Sequence, residues 1–594
     1  MQQAIRIGGA SGYWGDSTMS TPQLLTADID YIVYDYLAEI TMSIMARARS
    51  KDPAQGYAAD FVSAVLAPNL AAISEKGVKV LSNAGGVNPE ACGVAVRALI
   101  QKMGLSLKVA VITGDDLYEN AQSFSNEAYT EMFSSASFPD PQKIASINAY
   151  IGAFPIAKAL DAGADIVITG RCVDSAVTLG ACIHAFGWRE QDVDLLSSGS
   201  LAGHLIECGP QATGGNYTDW REVAGSLENI GYPIAEISSD GDVEICKPED
   251  TGGLVSVGTV AEQMLYEIGD PQAYILPDVV CDFSGVQLEQ LAKNRVVVSG
   301  AKGRVPTDTY KVCATYLDGY RGTMVMNFYG LDAAEKAQVF ADAVFARAET
   351  ILRASNAGEF TEKSIEILGS ESQFGPESRD WDVREVALKI ACKHPSDKGV
   401  SLLFKEASGM GLATPPGLSG FGGGRPRPTP VVRLFSFLVP KDQVPVSIDV
   451  DGTKESVPLT KICAQQSPLI IESPSPPEEF IDKTEVPLIK LAWGRSGDKG
   501  DKSNIGIIAR KPEYMPYIWA ELTSNKVKAC FSHFLEGDVE RFYLPGSHSM
   551  NLLLHDVLGG GGVASLRADP QGKGYAQLLL STSIPIPTTL AESL

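Results

Sequence analysis

Five apolar strands, each followed by a helix or a polar loop, run through the first part of the chain. They read as Ala4–Gly8, Asp30–Leu37, Val78–Asn83, Leu107–Thr113 and Ala164–Thr169. Helical stretches lie between and after them, among them Glu39–Arg49, Pro89–Met103 and Asp174–Phe186. Apolar strands alternating with helices of this length predict a mostly parallel sheet covered on both faces. Such a sheet sends its strand-ending loops to one edge, where ligands bind.

The residues at those ends are therefore the first candidates. Strand one gives Gly9, Ser11, Gly12 and Asp16; strand two gives Glu39 and Thr41. Strand three gives Asn83, Gly85, Gly86 and Asn88, and strand four gives Asp115. Strand five gives Arg171, Asp174 and Ser175. One polar loop carries little weight, but five converging at one edge predict a pocket. The first loop spaces its glycines as G-x-x-G-x-x-G, which is not the dinucleotide fingerprint. It reads more plainly as a turn that lets a ligand approach the backbone.

Arg171 is the leading anion anchor, because a guanidinium matches carboxylate or phosphate with two hydrogen bonds. The competing reading pairs it with Asp174, itself a candidate helix cap. The segment GHLIECGPQATGGNY (203–217) sets His204 and Glu207 three apart, with Cys208 next. On a helix the first two share a face and form an acid/base pair or part of a divalent-metal site. Cys208 is a candidate nucleophile if its pKa is lowered, and a buried apolar side chain otherwise. Gly214 and Gly215 predict an exposed turn at Asn216. Lys302, Arg304, Asp308 and Lys311 offer either an anion site or a solvated turn. In WGRSGDKGDKSN (493–504), Arg495, Lys499 and Lys502 crowd among glycines. This stretch fails the P-loop pattern and reads as a charged turn or an anion-binding nest.

Composition narrows the function. The net charge is 49 − 72 = −23 over 594 residues, which opposes a nucleic acid or an anionic membrane as the main partner. No window of 18 apolar residues suggests a membrane span, and the N-terminal residues lack a signal-peptide pattern. Ten scattered cysteines without a C-x-x-C pair fit reduced thiols in a cytoplasmic protein. The expected partners are a small anionic substrate and further copies of the chain. No cofactor is identified beyond the divalent metal that His204 and Glu207 would suit.

Residues 1–472 are expected to form the α/β body, with a subdomain break near residue 230. The Pro-rich stretch 473–487 reads as a linker, and 488–594 as a smaller α+β unit ending in a strand at Gln577–Ser583. IRIGGASGYWGDS, LSNAGGVNP, ITGRCVDSA, GHLIECGPQATGGNYTDW and GRVPTDTYKV resemble the acyclic terpene utilisation protein family. LAWGRSGDKGDKSNIGI through PGSHSMNLLLHDVLGGGG resembles the ferredoxin-fold domain that often follows it. The resemblance implies work on branched acyl thioesters or related acids. The leading expectation is a lyase or hydratase, with Arg171 and Arg304 holding the anion and Asp16, Asp174 or His204/Glu207 moving protons. The alternatives are a hydrolase using Cys208 or activated water, and a non-catalytic subunit of an acyl-CoA carboxylase system.

Overall fold

The computed structural model describes residues 3–379, 382–420, 424–458, 464, 471–477 and 481–594. The five early strands form at Ala4–Gly9, Tyr31–Tyr34, Lys79–Ser82, Val109–Thr113 and Ile166–Thr169. They lie side by side and parallel, the fifth inserted between the third and fourth. Their side chains are buried on both faces, as a helix-covered parallel sheet requires.

This parallel centre belongs to a mixed sheet of eleven strands among the described residues. Strand Ile234–Ser238 pairs antiparallel with Ala4–Gly9, and Val243–Cys246, Arg295–Ser299 and Gln287–Ala292 continue that flank. The change of pattern near residue 230 therefore marks a switch to hairpins within one sheet. Short connections permit only antiparallel neighbours, whereas parallel ones need a crossover.

A second sheet is built around the 21-residue strand Thr309–Tyr329, with Thr429–Pro440 and Glu385–His394 beside it. Helices Ala333–Ala354 and Asp397–Gly409 bury their apolar faces against it. Strand Ile144–Ala149 leaves the parallel centre and joins this second sheet. It carries Asn148 and Tyr150 to the carboxyl edge of the first.

The C-terminal unit is a small ferredoxin-like domain. Strands Ala492–Lys499 and Lys502–Ala509 form a hairpin, extended antiparallel by Ser549–Leu554 and Val539–Leu544. Lys483–Pro487, at the end of the Pro-rich stretch, pairs with Ser583–Pro587; residues 478–480 of that stretch lie outside the described residues. The strand expected at Gln577–Ser583 is instead mostly helix, Tyr575–Leu580. A short apolar run fits either period; here Tyr575, Ala576, Leu579 and Leu580 share the buried helical face.

This domain is bolted to helix Val257–Leu265 of the body. The Arg495 guanidinium meets the Glu262 carboxylate at 2.9 Å, with side chains 3% and 0% exposed. Gly506 faces Leu265 so closely that a Cβ there would come within 2.5 Å of Leu265 Cβ. Asn504 donates to Leu265 O at 2.5 Å, and Asn551 donates to Ile268 O at 2.9 Å. Arg510 grips Asp219 with two hydrogen bonds of 2.6 Å.

Candidate functional site

The carboxyl edge of the parallel strands gathers a dense set of charges. Asp35, directly after the second strand, is buried and accepts from Asn83 Nδ2 at 2.5 Å. Asn83 Oδ1 in turn accepts from Tyr36 N–H at 2.8 Å, so this side chain locks the second and third strand ends together. Asp115, after the fourth strand, accepts from Arg171 N–H at 2.8 Å and Asn148 Nδ2 at 2.9 Å, both on Oδ2. Burial pushes the Asp115 carboxyl up to about 7 despite those two donors.

Arg171 is only 4% exposed. Its Nη1 donates to Cys172 O at 2.8 Å and to Asp174 Oδ1 at 2.7 Å, and its head stacks 4.2 Å over the Tyr150 ring. Tyr150 donates its hydroxyl to Glu39 Oε1 at 2.5 Å, and Lys311 approaches the same oxygen at 3.7 Å. Burial opposes ionisation of Glu39, but Lys311, Arg171 and Tyr150 outweigh it and hold the carboxyl down at about 2. A recess of about 10 Å³ beside Arg171, lined by Glu39, Met42, Asn148 and Tyr150, has room for no more than a water.

His204 comes from the last turn of helix Val193–Ile206, and Glu207 from the residue that ends it. Their i, i+3 spacing puts His204 Nδ1 2.9 Å from Glu207 Oε1. The other ring nitrogen, Nε2, is buried without a hydrogen-bond partner among the described residues. Gly203 brings this helix against the Arg171 loop: a Cβ there would lie 2.8 Å from Ser175 Cβ. The two carboxyls Asp35 and Glu207 consequently share a neighbourhood with Asp174. Burial, then repulsion from Asp174 and Glu207, drives Asp35 well above the usual carboxylate range, against the pull of Arg171 and Asn83. Burial raises Glu207 as well, against the opposing pull of His204.

Several sequence candidates have structural tasks. The glycines of the first loop do permit a close approach, but by the protein itself. Gly9 faces the Ile206 carbonyl, and Gly12 faces Cys208 Cα at 3.0 Å from where its Cβ would be. Asp16 accepts from Gly12 N–H at 3.0 Å and from the Tyr232 hydroxyl at 3.1 Å, closing that loop. Ser11 donates to Asp35 O at 3.1 Å. Asn88 caps helix Pro89–Met103 and donates to Pro53 O and Gln55 O. Gly85 packs on Thr169 O, and Gly86 turns at φ +56° against Met45. Ser175 is buried under Gly203. Asn216 takes φ +56° in an exposed turn and donates to Gln211 Oε1 at 3.3 Å. Arg304 donates to Gln272 O at 2.8 Å, while Lys302 pairs on the surface with Asp194 at 2.9 Å. Burial, with Glu207 and Glu267 nearby, pushes the Cys208 thiol well above its ordinary value.

The C-terminal domain, whose stretch 493–504 the sequence offered as a charged turn or an anion-binding nest, lies beside this edge. The tip of its first hairpin brings Lys499 to 5.8 Å from the Tyr274 ring. Beside it, Lys573 reaches the Tyr266 hydroxyl and lies 2.8 Å from Glu267 and 3.7 Å from Asp498. Burial and Glu267 raise Asp498 to about 6. Glu39, Asp174 and Lys311 keep about a third of their side chains in solvent while interacting electrostatically with one another or with Lys499, so this edge is open to solvent. Among the described residues, no three His, Cys, Asp or Glu side chains converge as a metal site, and no helix is long and apolar enough to cross a membrane.

No curated protein and no solved structure matches the chain. The model of the AtuA ferredoxin-like domain matches residues 486–585. The model described as acyclic terpene utilisation family protein AtuA matches residues 5–450, most of the chain, and this protein belongs to that family.

Proposed function

We propose that the cleft catalyses proton transfer on a branched acyclic carboxylic acid or its acyl-CoA thioester, in a lyase or hydratase reaction. The observation that carries this reading is the pair of buried carboxyls, Asp35 and Glu207, raised in pKa beside the Arg171–Asp174 ion pair. Carboxyls with separated environments in one cleft divide into acids and bases. Glu207, oriented by His204, holds a proton to give; Asp174, fixed by Arg171, takes one. In a hydration, Asp174 draws a proton from water as its oxygen joins carbon 3 of an enoyl substrate, and Glu207 delivers a proton to carbon 2. Exchange with solvent across the open cleft restores both groups.

Two other readings are weaker. A Cys208 hydrolase needs a thiolate, and the surroundings of this thiol oppose one. A scaffold subunit gives no reason to crowd the Asp35, Glu207 and Asp174 carboxyls at one edge, where their mutual repulsion costs stability.

The test is incubation with 3-methyl-2-enoyl-CoA thioesters and their free acids in D₂O, followed by mass spectrometry. Wild type should place deuterium on carbon 2 or form the hydrated product. Glu207→Gln and Asp174→Asn should each slow this by about 10²- to 10⁴-fold, the usual contribution of a general acid or base. No exchange and no product from any of these compounds with wild type would reject the reading.

A further inference from the structure

We infer that Lys499 receives the oxyanion of the ligand, so the site is assembled from both domains. The inference rests on the proposed cleft being the functional site, and it deepens that reading by naming the anchor.

The cations around the cleft differ in what they already hold. Arg171 is buried and bound to Asp174 and Cys172 O. Lys311 pairs with Glu39, and Lys573 pairs with Glu267 and Asp498. Among the described residues the Lys499 side chain, alone of these four, has neither a hydrogen bond nor an ion pair; its ammonium lies 5.8 Å from the Tyr274 ring. Lys499 is exposed at the hairpin tip, within electrostatic range of Glu267, Asp174 and Glu39. An ammonium held at this edge without a partner of its own can receive an anion from outside through a charge-assisted hydrogen bond.

The hairpin tip is built to hold that position. Lys499 and Lys502 are paired across a two-residue loop, and Gly500 takes the φ of +70° that tight hairpin loops favour. The next residue, Asp501, uses one oxygen to accept from the backbone N–H groups of Leu558, Gly560 and Gly561, at 3.1, 2.9 and 3.1 Å. The glycine run thus forms a nest around the protein's own carboxylate and pins the turn. Asn504 fixes the outgoing strand on Leu265 O.

A ligand of the proposed class has two sources of oxyanion: the carboxylate of a free acid or the phosphates of coenzyme A. Isothermal titration of the full chain with 3-methyl-2-butenoate and, separately, with coenzyme A distinguishes them. At least one should bind wild type, more weakly as salt rises. Lys499→Met should weaken that binding ten-fold or more, and Lys499→Arg should keep it within about three-fold. Lys573→Met, which disturbs a cation already paired, should change it less than Lys499→Met. Thermal melting of each variant reports folding; if Lys499→Met melts early, Lys499→Gln replaces it. Undiminished binding by a folded Lys499 variant, or no binding of either anion by wild type, overturns the inference. Normal anion binding without deuterium exchange would leave the anchor standing and remove the proton-transfer reading instead.

Discussion

Two regions of this molecule are crowded with charge, and they are organised in opposite ways. In the seam between the domains the buried carboxylates are each matched to a cation, although Arg495 Nε is itself buried without a hydrogen-bond partner among the described residues. Glu262 accepts from Arg495 and from Thr218 N–H, while Asp219 accepts from Arg510 and from Trp493 Nε1. In the cleft the pairing is incomplete. Asp35 and Glu207 crowd one another as acids, His204 Nε2 lacks a partner among the described residues, and Lys499 faces the opening unpaired. A closed set of partners holds a structure together, whereas an open set stores interactions for a ligand.

The contrast is broken most severely at Arg495. Arg495→Met leaves the Glu262 carboxylate buried without its cation, which should cost about 3–5 kcal/mol. Thermal melting should fall sharply, and limited proteolysis should begin to release the C-terminal domain. A melting temperature close to wild type would mean that the seam is held by its apolar contacts.

Asp115 sharpens the contrast through pH. Its carboxyl titrates near 7 in the native chain and near 3.9 when unfolded. The native state therefore keeps a proton that the unfolded chain has released, and stability falls as pH rises from about 4 to about 7. The loss should amount to about 2–4 kcal/mol. Both donors to Asp115 use Oδ2, so an Asn oxygen can accept both. Asp115→Asn should melt progressively higher than wild type across that range; parallel melting curves at pH 5 and 7.5 would refute the linkage.

Arg171→Lys tests whether the buried guanidinium positions or binds. Loss of its bonds to Cys172 O and Asp174 should lower stability by about 1–3 kcal/mol. Anion affinity should change by less than three-fold, since this head has little surface to offer. The smallest effect belongs to Cys208→Ala, for which turnover should stay within about two-fold. A hundred-fold loss there would restore the thiol hydrolase.

Much of the fold was legible because its signals are local. Alternating apolar strands and helices named all five parallel strands, and the i, i+3 spacing of His204 and Glu207 foretold their contact. The pairing of Arg171 with Asp174 was visible as one of two readings three residues apart. What escaped depends on long-range placement. Nothing in SINAY marks Ile144–Ala149 as a strand that crosses to the second sheet and delivers Tyr150. Lys499 lies 292 positions beyond Glu207 in the numbering and enters their shared cleft only because a separate domain docks on helix Val257–Leu265. The glycines of the first loop signalled a close approach without saying whose backbone would come near.

The glycine nest around Asp501 has a thermodynamic consequence. Ordering a mobile loop costs about 1–2 kcal/mol per residue, and a whole turn closing over a ligand would forfeit several such amounts of affinity. Here the turn is already ordered by its own carboxylate, so an arriving anion needs to still only the four-carbon arm of one lysine. Capture is thereby a matter of immobilising one side chain rather than folding a lid, and association should proceed without a slow conformational phase.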